Sequence, residues 1–88
     1  MTRNPIYQRM SSMGHTVLTV EAATGLSRST IYPLLKDPNR QPTVDTLESM
    51  AKELDWSVPL IFEAWYGWAA AYRAMDPQEA LIHAQFER

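Results

Sequence analysis

Apolar residues recur with the spacing of an α-helix along most of this chain. The clearest case is residues 47–54, where Leu47, Met50, Ala51 and Leu54 fall at positions i, i+3, i+4 and i+7. That spacing places all four side chains on one helix face. No stretch alternates apolar and polar residues across a hairpin-type turn, as paired β-strands do. The pattern therefore predicts an all-α fold.

Capping residues divide this pattern into six predicted helices. A helix begins after a side chain that accepts hydrogen bonds from its first N–H groups, and it often ends at a glycine. The predicted caps are Asn4, Thr16 or Thr19, Ser27, Thr43, Ser57 and Asp76, and the predicted stops in the first half are Gly14 and Gly25. The first helix is expected from Pro5 to about Met13 and the last through about Phe86. The predicted inward-facing residues of the first and third helices are Ile6, Met10, Met13, Ile31, Leu34 and Leu35.

Pro33 interrupts the third predicted helix. Proline has no N–H to donate, and its ring pushes against the carbonyl four residues earlier, at a cost of about 3 kcal/mol in a helix interior. Pro33 is the sixth residue after the Ser27 cap, so its ring meets the carbonyl of Ser29. We expect this helix to kink or end near Tyr32, leaving its first turn intact.

Length and composition indicate one small folded domain. The chain has 88 residues, of which 45% are apolar and 20% are charged, and it has no cysteine. These values favour a single core over disorder and exclude disulfides and thiolate chemistry. The N-terminus lacks the apolar segment of a signal peptide, and the most apolar stretch, 58–75, falls short of a membrane span. We expect a cytoplasmic protein with no membrane partner.

Charge is distributed unevenly, although the formal net charge is only −2. Residues 1–44 hold five Arg and Lys against two Asp and Glu, a balance of +3, whereas residues 45–88 hold three against eight, a balance of −5. A basic face with an acidic back orients a molecule toward phosphate. The charge pattern is therefore compatible with a nucleic-acid partner.

Residues 17–36 have the layout of a helix-turn-helix: a short helix, a glycine at the turn, and a second helix with a polar front end. The segments TGLSRSTI and QPTVDTLESMAKELDWSVPLIF resemble the lambda-repressor-like, Cro/repressor-type helix-turn-helix family, and the resemblance covers about Met10 to Phe62. It implies a compact five- to six-helix domain in which residues 1–62 are the helix-turn-helix core and 63–88 a C-terminal helical extension. It also implies a sequence-specific transcription regulator, such as a small phage or prophage repressor or a Cro-like switch that occupies a DNA operator.

The resemblance assigns DNA contacts by position. Arg28 is expected to contact a guanine edge, and the remaining residues are expected to contact bases or the phosphate backbone. The implied DNA-binding set is Thr16, Thr19, Ser27, Arg28, Ser29, Thr30, Tyr32, Lys36, Asn39 and Arg40. Besides Pro33, two residues depart from the family pattern: Val17 replaces a frequent Gln, and Glu21 replaces the Ala usual where the two helices touch. An unpaired Glu21 cannot be buried, so helix 2 is rotated or shortened, or the carboxylate reaches outward.

Aromatic residues in the C-terminal part leave two interpretations open. In the first, they complete the single core, because a domain this small needs their apolar area. In the second, they form the interface of a homodimer that binds a palindromic operator. A DNA-bound regulator is expected in the cytoplasm, associated with the nucleoid. The candidate interface residues are Trp65, Trp68, Tyr72, Leu81, Ile82 and Phe86.

Enzyme chemistry finds little support in the sequence. His15 and His83 are the only histidines, there is no glycine-rich phosphate loop, and the carboxylates are scattered. We expect no enzyme activity, no metal, no cofactor and no small-molecule ligand, with His15 exposed to solvent. The alternative to a DNA-binding regulator is a protein-binding module that keeps the helical fold without DNA affinity, since Glu21, Pro33 and the net negative charge disfavour DNA.

Overall fold

A computed structural model describes residues 3–74, which form an all-α domain and contain no β-strand. The helices are α1 (Pro5–Ser12), α2 (Val17–Thr24), α3 (Arg28–Lys36), α4 (Val44–Glu53) and α5 (Val58–Arg73). α2 packs on α3 and α4, while α1 and α4 pack on α5. The all-α prediction is confirmed. The sixth predicted helix, from Asp76 to Phe86, lies outside the described residues.

The predicted caps explain where most of these helices begin. The side chains of Asn4, Thr16, Thr43 and Ser57 accept hydrogen bonds from N–H groups at the starts of α1, α2, α4 and α5. At α2 the cap is Thr16, and Thr19 is the third residue of the helix, bonded back to the Thr16 backbone. Helix boundaries in this chain therefore follow local hydrogen bonding.

The core draws on all five helices. Every predicted inward-facing residue except one is buried. The buried apolar residues are Ile6, Met10, Val20, Ile31, Leu34, Leu35, Leu47, Met50, Ala51, Leu54, Ile61, Trp65, Trp68 and Ala69. Met13 is the exception, with 40% of its surface exposed. α1 ends one residue earlier, and Met13 lies in the turn that leads to Gly14.

Trp65 and Trp68 belong to this core. They are 1% and 4% exposed, their rings meet edge to face with centroids 6.1 Å apart, and Tyr72 packs partly buried against the core. The interpretation that Trp65 and Trp68 form a dimer interface is therefore corrected for the described chain, because buried side chains offer no surface to a second copy. Of the other candidate interface residues, Tyr72 is half-buried, and Leu81, Ile82 and Phe86 lie outside the described residues.

Pro33 does not end α3, so the expectation that the helix ends near Tyr32 is wrong. The helix continues to Lys36 with Pro33 inside it. The missing hydrogen bond falls on the carbonyl of Ser29, which is an exposed residue. Beyond Pro33, burial of Leu34 and Leu35 stabilises the last turn. Tertiary packing thus overcomes the local cost of the proline.

Asn4 fixes the end of α3 as well as the start of α1. Its side chain is 5% exposed, and Nδ2 donates to the carbonyl oxygens of Leu34 at 3.1 Å and Leu35 at 3.0 Å. The indole Nε1 of Trp65 also donates to Leu34, at 2.9 Å. These bonds satisfy carbonyls that lack partners at a helix C-terminus. As a result, α1 and α5 together hold the C-terminal end of α3 in place.

Candidate nucleic-acid interface

Residues 25–27 connect α2 to α3 in a short turn. Gly25 ends α2 with φ 77°, the left-handed region, and its N–H donates to the Glu21 carbonyl at 3.0 Å. Leu26 packs partly buried against the core, and its N–H donates to Thr24 Oγ1 at 3.2 Å. Val20 and Ile31, both fully buried, anchor the two helices on either side of the turn. The result is two short packed helices in the order that a helix-turn-helix requires.

The outer face of α3 forms one exposed ridge. Arg28, Ser29, Tyr32 and Lys36 are all exposed on the side opposite the buried residues. Arg28, Tyr32 and Lys36 follow one another at four-residue steps, and Ser29 precedes Tyr32 by three residues. Lys36 Nζ lies 5.6 Å from the centre of the Tyr32 ring, within cation–π range. At about 1.5 Å of rise per residue, the ridge is roughly 12 Å long. Four of the predicted DNA-contact residues thus share one surface.

The front end of α3 departs from the predicted capping. Ser27 occupies the cap position with extended backbone angles, but its side chain makes no capping hydrogen bond. Its hydroxyl instead lies 2.9 Å from Ser29 Oγ and 3.1 Å from Thr30 Oγ1. Among residues 3–74, the N–H groups of Arg28 and Ser29 consequently have no acceptor. Three hydroxyls and two amide N–H groups are therefore grouped at this helix start.

Thr16 and Thr19 are exposed at the start of α2, each bonded to the other. Thr16 Oγ1 accepts from the Thr19 N–H at 3.3 Å, and Thr19 Oγ1 accepts from the Thr16 N–H at 2.8 Å. His15 is not the exposed residue we expected: its side chain is 18% exposed, with Nδ1 3.0 Å from Thr19 Oγ1 and Nε2 3.2 Å from Glu53 Oε1. The turn after α1 places His15 against the end of α4, which buries most of the ring.

The loop between α3 and α4 carries Asn39 and Arg40, both exposed. The loop is braced by a hydrogen bond from the Asn39 N–H to Asp37 Oδ1 at 3.0 Å and by one from Arg73 Nη1 to the Pro38 carbonyl at 3.3 Å. A shallow pocket lies between this loop and α3, lined among others by Thr30, Pro33 and Arg40. Arg40 is thus placed beside the recognition-helix candidate.

Glu21 reaches outward and pairs with Arg28, the third of the orientations that its sequence position allowed. Arg28 Nε lies 3.3 Å from Glu21 Oε2, and the two side chains are 61% and 35% exposed. An ion pair this exposed is worth about 0.2–1 kcal/mol. Glu21 departs from the family pattern, and the sequence alone did not indicate its partner. The feature of the sequence that could have identified the pair is the opposite charge of Glu21 and Arg28, which are seven residues apart on either side of the turn.

Other kinds of site have less basis in the described part of the chain. No group of three or more His, Cys, Asp or Glu among residues 3–74 is arranged to hold a metal ion. No helix within that range is both long and apolar enough to cross a membrane.

The chain was compared with models of protein families, with curated proteins and with solved structures, and no match was found in any of the three comparisons.

Proposed function

We propose that this protein is a sequence-specific DNA-binding regulator of the lambda-repressor-like helix-turn-helix type, with α3 as its recognition helix. The observation that carries the proposal is the exposed ridge of Arg28, Ser29, Tyr32 and Lys36 on the second helix of a helix-turn-helix arrangement. A helix inserted in the major groove needs such a ridge on one side and a buried anchor on the other.

The groups around the ridge suit the phosphate backbone. Hydroxyl and N–H groups at the starts of α2 and α3 can donate hydrogen bonds to phosphate oxygens, and the positive end of each helix dipole favours the negative charge there. Lys36 and Arg40 add two exposed cations near the other end of α3. In this arrangement Arg28 contacts a guanine edge, and the surrounding donors fix the register of the protein on the duplex.

Function by operator occupancy requires no catalysis. A monomer covers few base pairs, so a two-fold pair on a palindromic site is the expected binding form. Trp65 and Trp68 are buried in the core of each copy and are not part of that contact. Sedimentation with and without duplex DNA measures the stoichiometry, and a monomer in both conditions contradicts the dimer.

The first experiment measures fluorescence anisotropy of a labelled random-sequence duplex as a function of salt. With Arg28, Lys36 and Arg40 at phosphates or in the groove, we expect log K to fall with log salt with a slope of about −2 to −3 for each bound copy, and about twice that for a pair. Selection from a random library then tests for a preferred sequence. Absence of binding at low salt would refute the proposal.

Single alanine variants test the assignment of roles. Lys36→Ala should weaken binding to all duplexes alike and reduce the salt slope by about 1, while Arg28→Ala should cost about 1–3 kcal/mol on the selected sequence and relax its specificity. The matched control is Lys52→Ala, which removes the same charge from the exposed side of α4. Equal losses for Lys52 and Lys36 would show that net charge, and not the α3 ridge, governs binding.

A second candidate function is a protein-binding module. It is favoured by α2, whose Leu18 is 61% exposed next to exposed Ala22, and by the neutralisation of Arg28 through Glu21. An apolar contact through Leu18 depends weakly on salt, whereas a phosphate contact depends on it steeply. The same salt titration therefore distinguishes the two functions.

A further inference from the structure

Among residues 3–74, Glu21 is the one charged group that contacts the candidate base-reading residue, Arg28. Glu21 lies in the second half of α2, on the other side of the turn at 25–27 from Arg28. Its carboxylate accepts a hydrogen bond from Arg28 Nε. Arg28 is the first residue of α3, where the positive end of the helix dipole disfavours a cation. The Glu21 carboxylate offsets both positive charges, so it stabilises the guanidinium in this location.

The contact occupies only part of the guanidinium. Nε donates to Glu21 Oε2 at 3.3 Å, and neither terminal nitrogen of Arg28 has a hydrogen-bond partner among residues 3–74. A guanidinium has five N–H donors in a fixed plane, and two of them suffice for the O6 and N7 acceptors of guanine. The pair therefore leaves the two terminal nitrogens, which bond a base edge side by side, available to a ligand.

The same carboxylate repels phosphate. A nucleic-acid phosphate that approaches Arg28 meets the negative charge of Glu21 at the same place, whereas the edge of a neutral base does not. We infer that Glu21 is a positioning residue for specificity: it holds Arg28 by Nε and directs the free edge of the guanidinium to a guanine in preference to a phosphate. This inference rests on the proposed DNA-binding function.

The test uses Glu21→Gln, which keeps the size of the side chain and removes its charge. Two probes are used: a random-sequence duplex and the duplex enriched by the unaltered protein from a random library. We expect Glu21→Gln to bind the random duplex about 3-fold more tightly, and the ratio of enriched to random affinity to fall about 10-fold, since a well-placed bidentate contact discriminates by about 5- to 150-fold.

Arg28→Ala and the double variant make the test specific to the pair. If Glu21 acts through Arg28, Glu21→Gln changes the affinity ratio in the unaltered protein and leaves it unchanged when Arg28 is alanine. Glu48→Gln is the matched control, because Glu48 is exposed on α4 and the substitution removes the same charge. A fall in the ratio that persists without Arg28, or that Glu48→Gln reproduces, overturns the inference and leaves a general charge effect.

A measurement without DNA tests the contact itself. The Nε–H resonance of Arg28 should shift in the NMR spectrum of Glu21→Gln, because its acceptor is changed, and an unaltered resonance would overturn the inference. Failure of the proposed function gives a different result: the unaltered protein then binds neither duplex at low salt, and both proposals fall. Normal binding with an unchanged affinity ratio in Glu21→Gln overturns the inference alone.

Discussion

Replacing Asn4 should lower the free energy of unfolding far more than replacing an asparagine in an exposed loop. The buried amide makes four hydrogen bonds: Oδ1 accepts from the N–H groups of Ile6 at 2.9 Å and Tyr7 at 3.3 Å, and Nδ2 donates to the carbonyls of Leu34 and Leu35. The orientation of the amide is determined by chemistry, since the N–H groups need an oxygen and the carbonyls need a donor.

The expected loss has two parts. Removing an N-cap costs about 1 kcal/mol. In Asn4→Ala the Leu35 carbonyl also loses its side-chain donor, while Leu34 keeps the Trp65 indole, and leaving a buried acceptor unpaired costs about 1–3 kcal/mol. Asn4→Ala should therefore lower the free energy of unfolding by about 2–4 kcal/mol, a large part of the roughly 5–15 kcal/mol typical of a domain.

Asn4→Ser separates the two parts, because serine caps a helix about as well as asparagine but does not reach the α3 carbonyls. It should cost about 1–3 kcal/mol in urea unfolding followed by circular dichroism, with the slope against urea unchanged. The control is Asn39→Ala, whose exposed side chain makes no hydrogen bond among residues 3–74. If Asn4→Ala lies within about 0.5 kcal/mol of Asn39→Ala, the link between α1 and α3 contributes nothing and the reasoning is wrong.

Substitutions at three further positions test backbone conformation, and one of them also tests DNA binding. Gly67→Ala should raise the free energy of unfolding by about 0.5–1 kcal/mol, because Gly67 lies inside α5 and no atom lies within 4 Å of an added Cβ. Thermal unfolding measures the gain, and a loss of stability would contradict the prediction. Asp55→Gly should add about 0.5–1 kcal/mol, since Asp55 has φ 55° in the turn after α4, and Asp55→Ala provides no such relief. Pro33→Ala should raise the free energy of unfolding by about 1–2 kcal/mol by restoring a hydrogen bond to the Ser29 carbonyl. Pro33→Arg should tighten DNA binding by adding a cation to α3, and equal or weaker binding would contradict the placement of α3 against DNA.

The starts of α1, α2, α4 and α5 could be predicted because helix starts depend on neighbours in sequence, whereas Ser27 takes the predicted cap position of α3 without a capping hydrogen bond. A side-chain oxygen at Asn4, Thr16, Thr43 or Ser57 reaches N–H groups two or three residues later, whatever the rest of the chain does. The apolar stripe of α4 was predictable for the same reason, since helix geometry alone puts its members on one face.

Tertiary contacts were not predictable by that route. Asn4 was recognised as a cap, but its second role depends on carbonyls 30 and 31 residues away. The sequence predicts a kink or an end at Pro33 from the cost of proline in an isolated helix, because the side chains that hold the following turn pack through tertiary contacts that the local pattern does not contain. The sequence did not decide whether Trp65 and Trp68 belong to the core or to an interface, because both environments favour large aromatic residues.

The candidate interface depends on both kinds of information. The resemblance places Arg28, Ser29, Thr30 and Tyr32 on the groove-facing side of α3 and Lys36 in the loop that follows. In the structure Lys36 lies on the exposed ridge at the end of α3, Thr30 is half-buried, and the charge that opposes Arg28 is one the sequence did not predict. A glutamate where two helices meet looks unfavourable when its own environment alone is considered, because burial penalises an unpaired charge. Paired across the turn at 3.3 Å, it becomes a restraint on the arginine. A residue that weakens a sequence resemblance thus supplies a specific hypothesis about how this particular chain selects a base.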